Sequence, residues 1–261
     1  RFAPNAVGDG TSLNVKIKNL NLDGAKSAYV GLYIDGLQEF ICENINIKNC
    51  ACCLALKDTY YGSFVGYTML KNCLCGLALV GEDNKTNEIN TINFSNFKIN
   101  SSNYVHNHDV STLGSSGIWS NHGISISCIV NAVNLSAVIE GNNFVSGIYA
   151  EGMTHNEAIV NCSLSIMNCY FEALNSDTCA EFVDGTKKLK LNWNVLVENC
   201  RSFHPKFVCA SGKYRFINNS TIRPMYQNTM SRTTIIDDTK YNEYSSSDNH
   251  FVKTAQQPLT M

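Results

Sequence analysis

A short phrase recurs along this chain and constrains its fold more than any other feature. In each copy, apolar or β-branched residues at alternate positions run into an Asn-Cys pair, and the first copy reads I-N-I-K-N-C. The four copies end at Cys50, Cys73, Cys169 and Cys200, so the gaps between them are 23, 96 and 31 residues. The longest gap is close to four of the shortest. A fixed period of this length is typical of proteins built from stacked structural repeats.

A second phrase follows the first and keeps step with it. It has a small residue followed by alternating apolar positions, as in the segment G-L-A-L that starts at Gly76. The spacings between its copies fit a minimal coil of about 23 residues that carries loops of different lengths. The copies begin at Gly31, Cys53, Gly76, Gly117, Gly147 and, more loosely, Ala180.

Both phrases have the alternation of short β-strands, bounded by Asn, Gly, Asp and Ser, and no stretch shows helical periodicity. Strands that recur without crossover helices cannot form a doubly wound sheet, whereas stacked coils let each backbone pair with the coils above and below. The sequence therefore predicts an all-β, right-handed parallel β-helix of about seven to nine coils with few or no helices. We place the β-helix at residues 13–225, an N-terminal cap or lead-in at 1–12, and a polar C-terminal cap or tail at 226–261.

The Asn-Cys pair suits a corner between two strands. Asn tolerates the left-handed αL conformation that a sharp turn needs, and the Asn side chains of successive coils can hydrogen-bond as a ladder. Cys is compact and apolar enough to fill the inside of the corner. Twelve cysteines could instead form disulfides or a metal site. No CxxC pair or His-spaced partner supports zinc, so we favour buried free thiols.

Composition narrows the range of partners. Only 16% of the residues are charged and the formal net charge is −2, which argues against nucleic acid or an anionic membrane as the partner. No apolar run approaches the roughly 18 residues that span a bilayer, so membrane insertion is not expected. A neutral, lightly charged partner fits better, and we predict no cofactor and no metal.

The I-x-I-x-N-C and G-I-x-I phrases, over roughly residues 13–225, resemble the rungs of pectate-lyase-like right-handed parallel β-helix proteins, and among these the tailspikes of bacteriophages. That resemblance implies a homotrimer on a virion surface, or otherwise outside the cell. It also implies binding, and often cleavage, of a bacterial surface polysaccharide such as capsule or O-antigen. The activity expected from it is that of an endo-glycosidase, a polysaccharide depolymerase.

Outward positions of successive coils form columns on the surface of a β-helix. Exposed aromatic rings beside carboxylates are typical of carbohydrate grooves, although an aromatic ladder that covers the sheet, or a contact between subunits, has the same pattern. We expect substrate to bind at Trp119, Tyr149, Tyr33, Asn121, His122 and His155. In the register that the second phrase suggests, one column reads Tyr33, Ala55, Ala78, Trp119, Tyr149 and Glu181, and the next reads Asp35, Lys57, Val80, Asn121, Glu151 and Val183.

The acids of these columns are the candidates for catalysis. Glycoside hydrolysis uses two carboxyl groups, separated by about 6.5–9.5 Å in inverting enzymes. Glu151 and Glu181 lie one coil and two residues apart in this register, which separates their backbones by roughly 8 Å. We predict Glu151 and Glu181 as the catalytic pair, with Asp184 as an alternate.

Other readings of the chain remain open. The longest insertion between repeats carries His106, His108 and Asp109, which could bind a metal or transfer a proton but fit a solvated loop tip better. A polysaccharide lyase would need a calcium site and a positioned base, and the candidate bases Lys57 and Arg201 are isolated, so hydrolysis is favoured over elimination. A glycan-binding or structural fibre module without activity would keep the aromatic residues and need neither acid.

Overall fold

A computed structural model of the protein describes residues 14–81, 87–110, 121–151, 159–176, 178–183, 190–208 and 211–219, together with three short strands further along the chain. No helix occurs in these ranges, and the strands form one curled sheet. Every strand pair is parallel except the last, between residues 233–237 and 259–260. The described part of the chain therefore contains no helix that could span a membrane. The fold is a right-handed parallel β-helix, as predicted.

The strands are long near the N-terminus and become shorter along the chain. In order they are β1 Val15–Asp35, β2 Gln38–Lys57, β3 Thr59–Leu79, β4 Glu88–Asn100, β5 His122–Ile126, β6 Ile129–Asn131, β7 Val133–Glu140, β8 Ser146–Glu151, β9 Ile159–Met167, β10 Tyr170–Glu172, β11 Ala180–Val183, β12 Lys190–Glu198, β13 Pro205–Val208, β14 Ser211–Ile217, β15 Met225–Gln227, β16 Thr233–Asp237 and β17 Leu259–Thr260.

Two ladders of paired strands run along most of the sheet, and the short strands β6 and β10 pair with β4 and β7, respectively. The first ladder stacks β1, β2, β3, β4, β7, β9, β12, β14 and β16, which makes nine levels. The second ladder stacks the C-terminal parts of β1, β2 and β3 and then β5, β8, β11, β13 and β15, which makes eight. The predicted seven to nine coils are confirmed.

The domain boundaries stay predictions, because residues 1–13 and most of 226–261 lie outside the described residues. One level of the first ladder, β16, comes after residue 225.

The core lies inside the coils, where the inward residues of both ladders meet. Phe40, Phe64 and Phe94 stack from coil to coil with ring centroids 5.2–6.0 Å apart, and each is at most 1% exposed. Further along, Phe182 packs edge-on against Trp193 and Tyr214. Aromatic pairs at these distances add to the stability that comes from burying their area.

Asparagines occupy corners of the coil, as predicted, but the four Asn-Cys pairs do not share one corner, since Asn49 and Asn72 lie at one corner and Asn168 and Asn199 at another. Asn49, Asn72, Asn168 and Asn199 have φ between 49° and 58°, which is the αL conformation. Their side chains also link coils, since the Asn72 amide donates to Asn49 Oδ1 at 3.2 Å and the Asn49 amide donates to Asp23 Oδ1 at 2.8 Å. The hydrogen bond from Asn49, with others from the Ala25 backbone and Lys48, lowers the pKa of Asp23 to about 2.

The cysteines fill the inside of these corners. All eleven cysteines in the described ranges are free and buried, and Cys50, Cys73, Cys169 and Cys200 are at most 1% exposed. None of the described His, Cys, Asp and Glu side chains form a group of three that could hold a metal. The prediction of buried free thiols is confirmed for this part of the chain.

One predicted rung is wrong. In the second ladder Leu77 pairs with Ile124 and Ala78 with Ser125, so the segment from Gly123 to Ile126 forms the level after β3. The phrase that starts at Gly117 belongs to residues 111–120, which lie outside the described residues. Two G-I-x-x segments lie close together here, after a long insertion, and spacing alone could not choose between them.

A small residue begins each rung because the chain passes close to its neighbours there. A Cβ atom placed on Gly123 would lie 2.5 Å from Ile139 Cγ2 and 2.7 Å from the carbonyl oxygen of Gly147. Real Cβ atoms are not found this close to backbone atoms, so only glycine fits without movement. The segment G-I-S-I therefore begins with the glycine that the close approach of neighbouring coils requires.

Replacing a corner asparagine should cost more than replacing an asparagine within a strand. Asn49→Ala forces alanine into αL, which alone costs about 1–2 kcal/mol, and it also removes two side-chain hydrogen bonds. The control, Asn46→Ala, removes one hydrogen bond, to Asn21. The φ of Asn46 is not positive. Urea unfolding should show the larger loss for Asn49→Ala. Equal losses would contradict a structural role for the αL corners.

Candidate functional site

The site is built on the outward side of the second ladder, which we call the outer face. Backbone register places Ser125, Tyr149, Glu181 and Lys206 in one column, on β5, β8, β11 and β13. Inward neighbours such as Ile148 and Phe182 are fully buried, while Tyr149, Glu181 and Lys206 are partly exposed. The column therefore presents polar groups on adjacent coils to solvent.

Glu181 and Lys206 form an ion pair across neighbouring coils. Lys206 Nζ lies 3.0 Å from Glu181 Oε1, and the two side chains are 29% and 17% exposed, respectively. Because the pair is only partly exposed, solvent screens it less than a surface pair.

Tyr149 and Glu151 are the second polar pair. The Tyr149 hydroxyl donates to Glu151 Oε2 at 3.1 Å. Burial and the charge of Glu151 raise the pKa of Tyr149, so its hydroxyl stays protonated and remains a donor. The bond also fixes the direction of the Glu151 side chain.

The two carboxylates share the outer face at the predicted offset. Glu181 pairs with Tyr149 and Val183 pairs with Glu151, so the two acids lie on adjacent strands and two residues apart. At ordinary strand spacings this diagonal separates their backbones by roughly 8 Å. The register assumed for this part of the sequence is the one that the structure has.

His122 lies beside Tyr149. Their rings stack with centroids 4.4 Å apart and an interplanar angle of 5°, and His122 Nδ1 lies 2.7 Å from the hydroxyl of Ser146. Burial lowers the pKa of His122 to about 4, so the ring is neutral at pH 7. Because the two rings stack along the axis of the coils, each covers one face of the other.

Of the remaining predicted site residues, Asn121 and Tyr33 lie apart from this group. Trp119, His155 and Asp184 lie outside the described residues, so their roles stay predictions. The column position assigned to Trp119 belongs to Ser125. Asn121 is exposed at the bend before β5, where its carbonyl oxygen accepts from the Val145 amide at 2.7 Å.

Tyr33 shares the column but lies four levels from Tyr149, roughly 19 Å away at the spacing of adjacent strands. At those levels the outward side chains are apolar and buried. Tyr33 packs against a second cluster of buried side chains, separate from the main core, whose members are at most 3% exposed. They are Cys52, Ala55, Cys75, Ala78 and Val80.

The histidine insertion is folded against the first coil. The His106 ring stacks on Tyr29 with centroids 5.6 Å apart, and its Nε2 lies 3.1 Å from the carbonyl oxygen of Ala28. The backbone N–H of Asn107 donates to the carbonyl oxygen of Lys26 at 2.8 Å. His106 is therefore docked, which differs from the solvated loop tip that we favoured.

Three residues of the site were missed in the sequence. Ser125 was displaced by the wrong rung, although G-I-S-I has the pattern of the other rungs. Lys206 lies in the segment P-K-F-V, which lacks the small residue of the second phrase. Ser146 immediately precedes Gly147, the small residue of its own rung. The second phrase predicts no role for that position.

Comparison with models of protein families, with curated proteins and with solved structures gives no match. The interpretation of function therefore depends on the fold and on the geometry of the outer face.

The buried, neutral state of His122 predicts a pH dependence. In the unfolded chain a histidine binds its proton near pH 6.5, while in the folded chain the pKa is about 4. The unfolded state therefore binds more protons between these values, and stability should fall as the pH decreases from about 6.5 to about 4.

An NMR titration of the imidazole should give a midpoint near 4 for His122, and Tyr149→Ala should move it towards 6.5 by exposing the ring. In His122→Gln the loss of stability over this pH range should be smaller. A midpoint near 6.5 in the unmodified protein would show that the ring is not buried against Tyr149.

Proposed function

We propose that the outer face binds a bacterial surface polysaccharide, such as capsule or O-antigen, and that Glu151 and Glu181 hydrolyse a glycosidic bond in it. The observation that carries this proposal is the position of the two carboxylates, which lie on one face of adjacent strands at an offset of two residues. Their backbones are roughly 8 Å apart, and side chains that extend in parallel from them would place the carboxyl groups within the separation of about 6.5–9.5 Å used for inversion.

The surroundings of each acid suggest its role. Glu181 lies beside the ammonium of Lys206, and we assign it as the general base. In this mechanism Glu151 is the general acid and, from its protonated form, gives a proton to the glycosidic oxygen. Glu181 takes a proton from the attacking water, whose oxygen bonds to the anomeric carbon as the glycosidic bond breaks. The product is a new reducing end with inverted configuration.

The outer face also offers groups that suit sugar hydroxyls. The ammonium of Lys206 donates hydrogen bonds, while the hydroxyl of Tyr149 can both donate and accept. With few charges on the chain, a neutral or weakly charged glycan is the fitting class of ligand.

The biological setting that we propose follows the resemblance of the rung phrases to phage tailspikes. In that setting the chain assembles as a homotrimer on a virion surface and binds the surface glycan of the bacterial host. Trp119, His155 and Asp184 remain candidates for the margin of the groove.

Activity is tested with a panel of bacterial capsular and O-antigen polysaccharides, by measuring new reducing ends. One polysaccharide should be cleaved, and Glu151→Gln and Glu181→Gln should each lower the rate by roughly 10²–10⁴-fold, the usual contribution of general acid–base catalysis. Binding, measured by co-sedimentation with the same polysaccharide, should persist in both variants. The matched control is Glu172→Gln, since Glu172 is exposed on β10, which pairs within the first ladder.

The other functional classes are distinct outcomes of this assay. Binding without new reducing ends would contradict hydrolysis and favour a module that only holds glycan. Products that absorb ultraviolet light through a new double bond would identify a lyase. If no polysaccharide binds and none is cleaved, the outer face is not a glycan site.

A further inference from the structure

The first ladder has an outward side that carries no charge over four successive coils. Ser63, Asn93, Asn134 and Ser165 pair in register on β3, β4, β7 and β9, and their side chains point outwards from the core. None of the residues on this side of the four coils is Asp, Glu, Lys, Arg or His, although charged residues make up 16% of the chain. We call it the uncharged face, and it comprises residues 61–67, 91–96, 131–136 and 161–167.

The other sides of the coils carry charges. Past the next corner, ion pairs join Lys48 to Asp23 at 3.1 Å and Lys98 to Glu140 at 3.4 Å. Lys71 lies on the coil between these pairs, and the outer face carries the two acids. Removing charged groups from water is unfavourable unless they are well paired. The uncharged face is therefore the side of the coils that another molecule can cover at the lowest cost in free energy.

Large apolar side chains are exposed at both ends of one strand of the uncharged face. Tyr61, Val65 and Tyr67 on β3 are 60%, 37% and 44% exposed, respectively. A bulge directs Tyr67 outwards, since Asn44 on β2 lies opposite both Gly66 and Tyr67, and Gly66 has a positive φ of 72°. The backbone N–H of Tyr67 donates to Asn44 Oδ1 at 3.3 Å, which holds the bulge in place. Bulges commonly re-aim a side chain in this way.

Exposed tyrosines on a surface without charges are typical of the centre of a protein–protein interface. Charged side chains return at both ends of the face. Lys18 and Glu43 form an ion pair on the first two coils, and Lys213 and Arg215 are exposed on β14. An uncharged centre with a polar rim is the usual arrangement of an interface.

The area of this side of the first ladder also suits an interface. Eight levels lead from β1 to β14. At ordinary strand spacings they span about 38 Å, and seven residues of a strand span about 23 Å, so this side covers roughly 870 Å². Stable interfaces bury about 800 Å² on each partner.

We propose that the uncharged face is the surface through which copies of this chain associate side by side, with Tyr61 of one copy packed against Val65 and Tyr67 of the next. Tyr61 lies at the beginning of this stretch of β3 and Tyr67 at its end. When two copies run in the same direction with their uncharged faces together, the beginning of the stretch in one copy meets its end in the other. One chain thus supplies both halves of the contact, which favours a second copy over an unrelated partner.

The number of copies rests on the homotrimer proposed above. Around an axis parallel to that of the coils, three copies can repeat the contact between Tyr61 and Tyr67 three times and close a ring. The assignment of the face needs only copies that run in the same direction.

The first test is the mass of the full chain in solution, measured by multi-angle light scattering. The mass should be three times the 28.9 kDa of one chain. Tyr61→Glu places a charge in the centre of the contact and should lower the mass to that of one chain. The control is Val105→Glu, which adds the same charge to a side chain that is 72% exposed on the insertion folded against the first coil. It should leave the mass unchanged.

Paired cysteines test the contact itself. Within one chain, positions 61 and 67 are roughly 20 Å apart along the strand, which is too far for a disulfide. Mild oxidation of the double variant Tyr61→Cys/Tyr67→Cys should therefore link neighbouring chains into a covalent trimer on a non-reducing gel. Each single substitution should stay unlinked, because Tyr61 contacts Tyr67 and not a second Tyr61. The native cysteines of the described residues are buried and should not take part.

A monomeric native protein would overturn the proposal, and so would an oligomer that Tyr61→Glu leaves intact. An oligomer whose chains the paired cysteines do not link would also overturn it, even if Tyr61→Glu lowers the mass by unfolding the chain. A monomer whose co-sedimentation with a polysaccharide is weakened by Tyr61→Glu would show that the face holds glycan instead. A dimer linked through the paired cysteines would confirm the face and contradict the homotrimer. Cleavage at the outer face is measured separately, so none of these results decides the proposed hydrolysis.

Discussion

The left-handed corner asparagines are the constraint on which the rest of this structure depends. Asn49 and Asn72 turn the chain at one corner of successive coils, and their amides continue the alignment from one coil to the next. Asn168 and Asn199 turn it at another corner, which Asn44 and Asn96 occupy in earlier coils. A shift of one residue in a strand would move all of its inward side chains to the surface. By holding the corners in line, these residues keep the apolar positions inside and the polar positions of the outer face in columns.

The fold could be predicted from the sequence because both of its signals are local. Alternation indicates strands, and a repeat near 23 residues without helices indicates stacked coils. The αL corners and the buried thiols followed from the physical chemistry of Asn and Cys. The rung at Gly123 could not be placed, because the insertion that precedes it breaks the period and the competing segment at Gly117 has the same small-apolar start.

The site could be predicted only where loops did not disturb the register. Glu151 and Glu181 were placed correctly relative to each other, since the rungs at Gly147 and Ala180 are true neighbours. The ion pair with Lys206 and the ring of His122 on Tyr149 depend on side-chain directions across coils, and the sequence pattern does not encode these directions. The outer face thus combines two acids in different settings, one beside a cation and one beside a phenol.

The most direct test of this account is the measurement of nuclear Overhauser effects between selectively labelled aromatic rings. The register described here predicts strong cross-peaks between the ring protons of His122 and Tyr149, whose centroids are 4.4 Å apart. The absence of these cross-peaks, with cross-peaks between Trp119 and Tyr149 in their place, would mean that the Gly117 segment forms the rung. That result would contradict both the register and the outer face built on it.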